Sequence, residues 1–420
     1  MSKENTIFVQ IAAYRDPQLL PTLDSMFSNA KYPDNLRVGI AWQHNSDDKW
    51  DNLDQYKGNP NINIIDINYK DSKGVCWARN MVQQLYSEEK YTLQIDSHHR
   101  FAKDWDETLI DMITLLQNDG FPKPLLTAYV PSFDPENDPA ARVMYPWKLN
   151  FDRFIPEGAV FFLPASFEPF DDDSKPLRAR FYSAHFAFTL GQFAKEVQHD
   201  PNYYFHGEEI SISARAYTHG YDLFHPNKVV CWHEYTRKGR TKQWDDDKKW
   251  VDKNNSCHLR NRKLFEMDGE KRDIDFGIYG FGNARTLRDY EKYAGLSFKN
   301  RAVQPDVLKH FAPPCPLQNA TDEEFDNALS KIFKHCIDIG FHQVPENDYD
   351  FWCVAFKDDD GKDIYRKDSD RGEIARMKAD KDGYCKVWRE FQTDKMPKSW
   401  IVWPHSLSKG WCDPITGILR

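Results

Sequence analysis

The sequence predicts an α/β fold, a mostly parallel sheet with helices on both faces, followed by a small β-rich C-terminal module. Three observations predict it. Short β-rich apolar runs alternate with helical patterns over the first hundred residues, polar clusters follow directly on several of those runs, and from Phe351 onward strand-like runs are separated by Asp/Gly turns.

The elements follow in order. TIFVQIAA (6–13) gives a first strand and YRDPQ a loop, and the spacing of Leu19, Leu20, Leu23, Met26 and Phe27 then gives a helix. LRVGIAWQ (36–43) and INIIDINY (62–69) read as strands, VCWARNMVQQLYSEE (75–89) as a helix, and YTLQID (91–96) as a further strand. Strands that alternate with helices pair in parallel and are covered on both faces. Further apolar runs lie at 124–130, 158–164, 181–189 and 228–235. The hydrophilic stretch 236–256, TRKGRTKQWDDDKKWVDKNNS, reads either as a mobile lid or as a solvated surface excursion. DEEFDNALSKIFKHCIDIG (322–340) reads as helical, which divides the chain into a large domain over 1–300, a helical connector over 301–345 and a β-rich module over 346–420.

Composition narrows the function. A net charge of -9 argues against a protein that coats nucleic acid, whose affinity comes from a clustered positive field. No run approaches the roughly 20 apolar residues of a membrane span, and MSKENTIFVQIAAY resembles a first strand more than a signal peptide. Eight scattered cysteines without a CxxC pair suit a reduced, cytoplasmic protein.

In open α/β sheets ligands sit beyond the carboxyl ends of the strands, so Ala13–Asp16 and Asp96–His99, both just after a strand, should face one crevice. Asp96 and His98 alternate at a strand end, which lets a carboxylate and an imidazole grip one ion; a hydrogen-bonded strand-end turn is the plainer reading. His233, in VVCWHEY, follows another strand and can complete the ligand set, or can simply pack beside Trp232. His206-Gly-Glu208-Glu209 precedes a helical stretch, where carboxylates can orient a hydroxyl or compensate the helix dipole. Arg79, on the helix opened by KGVCWAR, suits a phosphate or a salt bridge, and Tyr14 and Arg15 suit a base or a capped turn.

The order of these pieces carries a resemblance. AAYRDPQLLPTLDSMFSNAKYP, KGVCWARN, LQIDSHHRF, HGEEISISARAYTHGYDLFHP, VVCWHEYTR and FGNARTLRDYEKYAG together resemble the GlcNAc-transferase family whose eukaryotic members modify hydroxyproline on a cytoplasmic protein. Similar logic is found in the mucin-type polypeptide N-acetylgalactosaminyltransferases. The resemblance implies a GT-A fold, a UDP-sugar donor (UDP-GlcNAc), Mn²⁺ or Mg²⁺, and transfer with retention to a hydroxyl of a protein or glycan acceptor. It places Asp96, His98 and His233 as metal ligands, Ala13, Tyr14, Arg15, Arg79 and Asp96 at the nucleotide, and Glu208 and Glu209 at acceptor and sugar hydroxyls. Two rival readings use the same residues: a non-catalytic sugar-binding protein, and a metallohydrolase with a Zn²⁺-activated water.

Overall fold

The computed structural model describes residues 5–155, 157–379, 383–393 and 395–419. The chain divides into two compact units, residues 1–299 with 306–319, and residues 300–305 with 320–420.

The strands of the first unit are β1 (Ile7–Tyr14), β2 (Leu36–His44), β3 (Ile62–Asn68), β4 (Tyr91–Asp96), β5 (His99–Phe101), β6 (Pro124–Thr127), β7 (Trp147–Phe154), β8 (Val160–Ser166), β9 (Leu177–Arg178), β10 (Phe186–Leu190), β11 (Asp222–His225) and β12 (Cys231–His233). Its main helices are α1 (Leu19–Asn29), α2 (Val75–Gln83), α3 (Trp105–Asn118), the single turn α4 (Phe193–Glu196), α5 (Glu208–Thr218), the short α6 (Gln243–Asp246) and α7 (Trp250–Phe265). Eight strands form the central sheet in the order β3-β2-β1-β4-β10-β6-β11-β9. The half from β3 to β4 is parallel, whereas β10 runs against both β4 and β6.

Burial explains why these runs became strands. Along β1 the first five residues are all buried, as expected of a central strand covered on both sides. Phe8, Ala41 and Ile67 meet Ala78 and Val82 of α2, and Leu125, Ala187 and Leu223 meet Ile212 and Ala216 of α5. The alternate residues Val9, Leu93, Leu126 and Phe188 are buried on the opposite face. There Phe121, just past α3, packs edge-on against Phe224 with ring centroids 5.0 Å apart.

The run at 158–164, left unplaced by its sequence, leads into β8, which pairs with β7 in a ribbon apart from the central sheet. Several expectations are corrected. The helix expected over 75–89 stops at Gln83, and the hydrophilic stretch 236–256 contains α6 and the start of α7. Residues 322–340 are not one helix. A short helix, Asp322–Asn327, leads into the ten-residue strand Lys331–Gly340, which pairs along its whole length with Tyr384–Thr393. Phe333, Ile337 and Ile339 recur with period two, and burying them against Val387 and Phe391 overrides the local helical spacing. The rest of this second unit is a six-stranded sheet built on Tyr349–Lys357 and Ser399–Ser406, with helix Arg371–Lys378 nearby. No helix among the described residues is long and apolar enough to cross a membrane.

Candidate active site

Three segments far apart in sequence meet at the carboxyl ends of β1 and β4. After β1 the chain turns at Arg15, whose φ is +44°, and Asp16 anchors the entry to α1 by accepting from the Gln18 amide at 2.9 Å. After β4, Ser97 and His98 form a tight connection to β5. Thr22 of α1 ties it down, donating its hydroxyl to the Ser97 carbonyl (2.9 Å) and accepting from the His99 amide (2.8 Å). His233 arrives through pairing: β12 runs antiparallel to β5 with His233 opposite His99, and the Glu234 amide donates to the His98 carbonyl at 3.1 Å. That two-strand ribbon is how a residue 135 positions after His98 becomes its neighbour.

The structure brings Asp96, His98 and His233 together, with one candidate ligand atom from each lying within 4.8 Å of the others. Asp96 Oδ2 is 3.7 Å from His98 Nε2 and 3.5 Å from His233 Nε2. Both ring nitrogens of His233 are buried without a hydrogen-bond partner. Burial, reinforced by the neighbouring imidazoles, pushes His233 well below the usual histidine pKa, so its ring is neutral and keeps a lone pair. One oxygen and two imidazole nitrogens at this spacing fit a divalent transition ion. Burial alone would raise Asp96, but His233, Arg79 and His98 outweigh it and hold the carboxylate well below its ordinary range.

Two residues outside the predicted set shape this cluster. Asp16 is buried, and its Oδ2 meets His98 Nδ1 at 2.7 Å and accepts from Ser97 Oγ at 2.6 Å. A carboxylate on Nδ1 is the usual arrangement behind a ligating histidine, and it leaves the other nitrogen, Nε2, on the side of Asp96. Arg240, from the hydrophilic stretch after β12, lies against the His98 ring, its Nη1 2.5 Å from Nδ1 and 2.9 Å from Nε2, and pairs with Asp16 at 3.3 Å and Glu234 at 3.0 Å. Composition alone assigns Arg240 to solvent. The signal that finds it is the pair of buried carboxylates, Asp16 and Glu234, which need a cation. His185 was missed as well, and its ring stacks 4.2 Å from that of His233.

The nucleotide residues are placed less uniformly. Tyr14 lines the crevice together with Ala12, Gly74, Val75, Tyr204 and Trp244. Ala13 is buried in the strand, and its carbonyl accepts from Gln43. Arg15 bends away to Asp48 (2.7 Å) and Asp246 (3.0 Å) and lies over the Tyr69 ring, while the Tyr14 hydroxyl also donates to Asp246 at 2.7 Å. Gly74 has to be glycine: its φ is +115°, and a Cβ there would lie 2.6 Å from the Tyr204 carbonyl, which accepts from the Val75 amide. Arg79 does not reach the crevice lining. Its guanidinium is buried behind Asp96, donating to Oδ1 at 2.8 Å, with Glu208 at 3.6 Å.

Glu208 and Glu209 open α5 on that same inner side. Glu209 accepts from the Tyr129 hydroxyl (2.9 Å) and from the Ala184 amide (2.8 Å). Burial pushes both carboxyls up, and Glu208 is raised further by its neighbour.

Comparison with known proteins places these features. No curated protein matches the sequence. Solved structures with a similar course of the chain include GalNAc-T7 with UDP, GalNAc and Mn²⁺, at 14% identity and a TM-score of 0.48 over 62% of this chain and 49% of that one. TarS 1-349 of S. aureus in complex with UDP-GlcNAc matches at 13% identity and TM-score 0.36 over 58% and 61%. The mannosyltransferase PcManGT of Pyrobaculum calidifontis with GDP-Man and Mn²⁺ matches at 12% identity and TM-score 0.37 over 56% and 58%. The chain thus spans about half to three fifths of the length of these structures. The sequence profile of the family described as Glycosyltransferase (GlcNAc) matches residues 6–60 and 51–300. Since that span is well over half the chain and contains every residue of the crevice, the protein belongs to the GlcNAc glycosyltransferase family.

Proposed function

We propose that this enzyme moves GlcNAc from UDP-GlcNAc, with retention, to a hydroxyl of a protein or glycan acceptor. Asp96, His98 and His233 would hold Mn²⁺ or Mg²⁺. The observation that carries the reading is the orphaned, neutral His233 ring facing Asp96 and His98 at the carboxyl ends of the sheet. When bound, the ion supplies Lewis-acid neutralisation of the charge that develops on the leaving diphosphate.

The chain's own residues have separable tasks. Asp16 holds the His98 ring in place, and Arg79 keeps Asp96 charged from behind. Tyr14 takes the uridine side, with Ala13 behind it in the strand and Arg15 beside it, held by Asp48 and Asp246. Through Asp246, Tyr14 and Arg15 tie the end of β1 to α6, so the wall of the crevice and the segment over it are joined. Glu208 and Glu209 meet sugar and acceptor hydroxyls, which their raised pKa values suit, since a protonated carboxyl donates a hydrogen bond as well as accepting one. Retention is assigned to front-side attack. The acceptor oxygen bonds to the anomeric carbon, the bond from that carbon to phosphate oxygen breaks, and the acceptor proton passes to the departing phosphate. The resemblance to the hydroxyproline-modifying enzymes, together with eight free cysteines, supports a cytoplasmic setting.

Melting curves with a panel of nucleotide sugars, with and without Mn²⁺, test the reading. A donor held at a hundredfold its Kd stabilises the folded state by about 2.7 kcal/mol. UDP-GlcNAc should raise Tm the most, and only with the ion present. Equal shifts with UDP-galactose or GDP-mannose, or shifts independent of metal, would remove the donor assignment.

A further inference from the structure

The second unit carries a surface that the transfer reaction does not use. In strand Tyr349–Lys357, Trp352, Val354 and Phe356 enter the core, so Phe351 and Cys353 face the other way. Strand Ser399–Ser406 turns Val402 into the same core and sets His405 opposite Phe351 and Trp403 opposite Cys353. Trp411, on the short strand beyond, pairs with His405. Register alone therefore gathers four rings on the outer face of one sheet.

The rings touch one another yet stay open to solvent. Phe351 and His405 stack at 5.1 Å with an interplanar angle of 15°, Trp411 stands edge-on to both, and Trp403 lies 4.6 Å from Trp411. Trp403 and Trp411 nevertheless remain 38% and 49% exposed. Their setting is rigid. The Trp403 indole N–H donates to the Cys412 carbonyl at 2.8 Å, and His405 Nδ1 is held by Asp350 at 2.7 Å. Around the rings the surface is polar: Arg366, opposite Ala355 in the next strand, is clamped by both oxygens of Asp368 at 2.9 Å.

We propose that this face binds a neutral glycan. A fixed, exposed indole presents a flat apolar surface of the kind on which the C–H face of a pyranose stacks, and the polar rim then meets the hydroxyls that ring the sugar. The rim also selects the occupant. Arg366 is already neutralised by Asp368, and Asp350 is a further carboxylate, so the surroundings offer oxygen acceptors and repel an anionic polymer. An aliphatic protein partner would leave those carboxylates desolvated.

The test uses the full chain in native gels containing soluble neutral polysaccharides (glycol chitin, hydroxyethyl cellulose, glycogen), with polygalacturonate as the anionic arm. At least one neutral polymer should retard the protein. Trp411→Ala and Trp403→Ala should each weaken that retardation about tenfold, the effect of deleting a stacked anchor. Trp388→Ala, which removes an indole 58% exposed on strand Tyr384–Thr393, and His233→Ala should leave it unchanged. Melting curves check that the variants fold, and since these rings lie outside the core, little change is expected. The proposal is overturned by retardation in none of the neutral gels, by retardation in polygalacturonate alone, or by equal retardation of Trp411→Ala. It is overturned too if the face proves to join two copies of this chain, seen as a concentration-dependent dimer that Trp411→Ala dissolves and no polysaccharide competes with.

Discussion

Asp96 and Glu208 meet different nitrogens of one guanidinium, and the carboxyl groups of Asp96 and of the pair Glu208–Glu209 are pushed in opposite directions. Burial works to raise all three. Asp96 has the short contact to Arg79, 2.8 Å, and two imidazoles within 3.7 Å, whereas Glu208 has only the far end of the same guanidinium at 3.6 Å and a second carboxyl beside it. One Arg cannot neutralise three acids, and the one with the most partners stays ionised. The difference suits the roles proposed above: an anion able to ligate a metal on one side, and carboxyls that keep a proton for hydroxyls on the other.

Breaking the metal side should have the largest effect. His98→Ala and His233→Ala are each expected to lower turnover at least a thousandfold, a loss of about 4 kcal/mol of transition-state stabilisation, and to weaken Mn²⁺ binding followed by EPR, with circular dichroism unchanged. Wild-type rates in either variant would refute the ligand set. Arg79→Ala attacks the shared element instead. It strands the buried Asp96 carboxylate without its closest cation, so urea unfolding should reveal a loss of about 3–5 kcal/mol; a change under 1 kcal/mol would mean the guanidinium is not what partitions the three acids. Glu209→Gln keeps the shape of the other side and removes its ionisable carboxyl. There kcat should fall by about a hundredfold with Mn²⁺ affinity intact, which separates the two sides directly.

Smaller again is Asp16→Asn, which leaves the ligands in place but frees the His98 ring. The expected cost is about 10–100-fold in metal affinity, measured by titration of the metal-free protein. Asp16 also marks the limit of what the sequence reveals. The strand-end positions of Asp96 and His98 were legible because alternation and the position of a strand terminus are local properties, and His233 was legible as the end of another apolar run. Which buried group backs His98 depends on how α1 docks through Thr22, a contact between residues 75 apart that no local pattern encodes. Arg240 was hidden for the opposite reason: its neighbourhood reads as solvent-loving, and only the burial of Asp16 and Glu234 draws it inward. In the second unit, alternation in KIFKHCIDIG competed with helical spacing, and the ten-residue pairing with Tyr384–Thr393 decided it.

The smallest effect is on stability against pH, and it sharpens the comparison without touching catalysis. A carboxyl whose folded pKa is raised holds its proton more tightly folded than unfolded, so its contribution is complete below the ordinary carboxylate pKa and is lost as pH climbs through the raised value. Glu208 and Glu209 therefore make the metal-free protein lose stability as pH rises from the ordinary carboxylate range through about 7 and about 8. Asp16 acts with the reverse sign. Burial would raise it, but His98, Arg240 and Ser97 hold it below its usual value, so its contribution is present above the ordinary carboxylate pKa and lost as pH falls. His99 and His185, which burial keeps neutral, add to that acid-side loss because unfolding lets them take up protons. Urea midpoints measured across pH should fall on both sides of a maximum. Replacing both Glu208 and Glu209 with Gln should flatten the decline toward neutral pH and leave the acid side as it was; a decline that survives the double replacement would place its cause outside this pair.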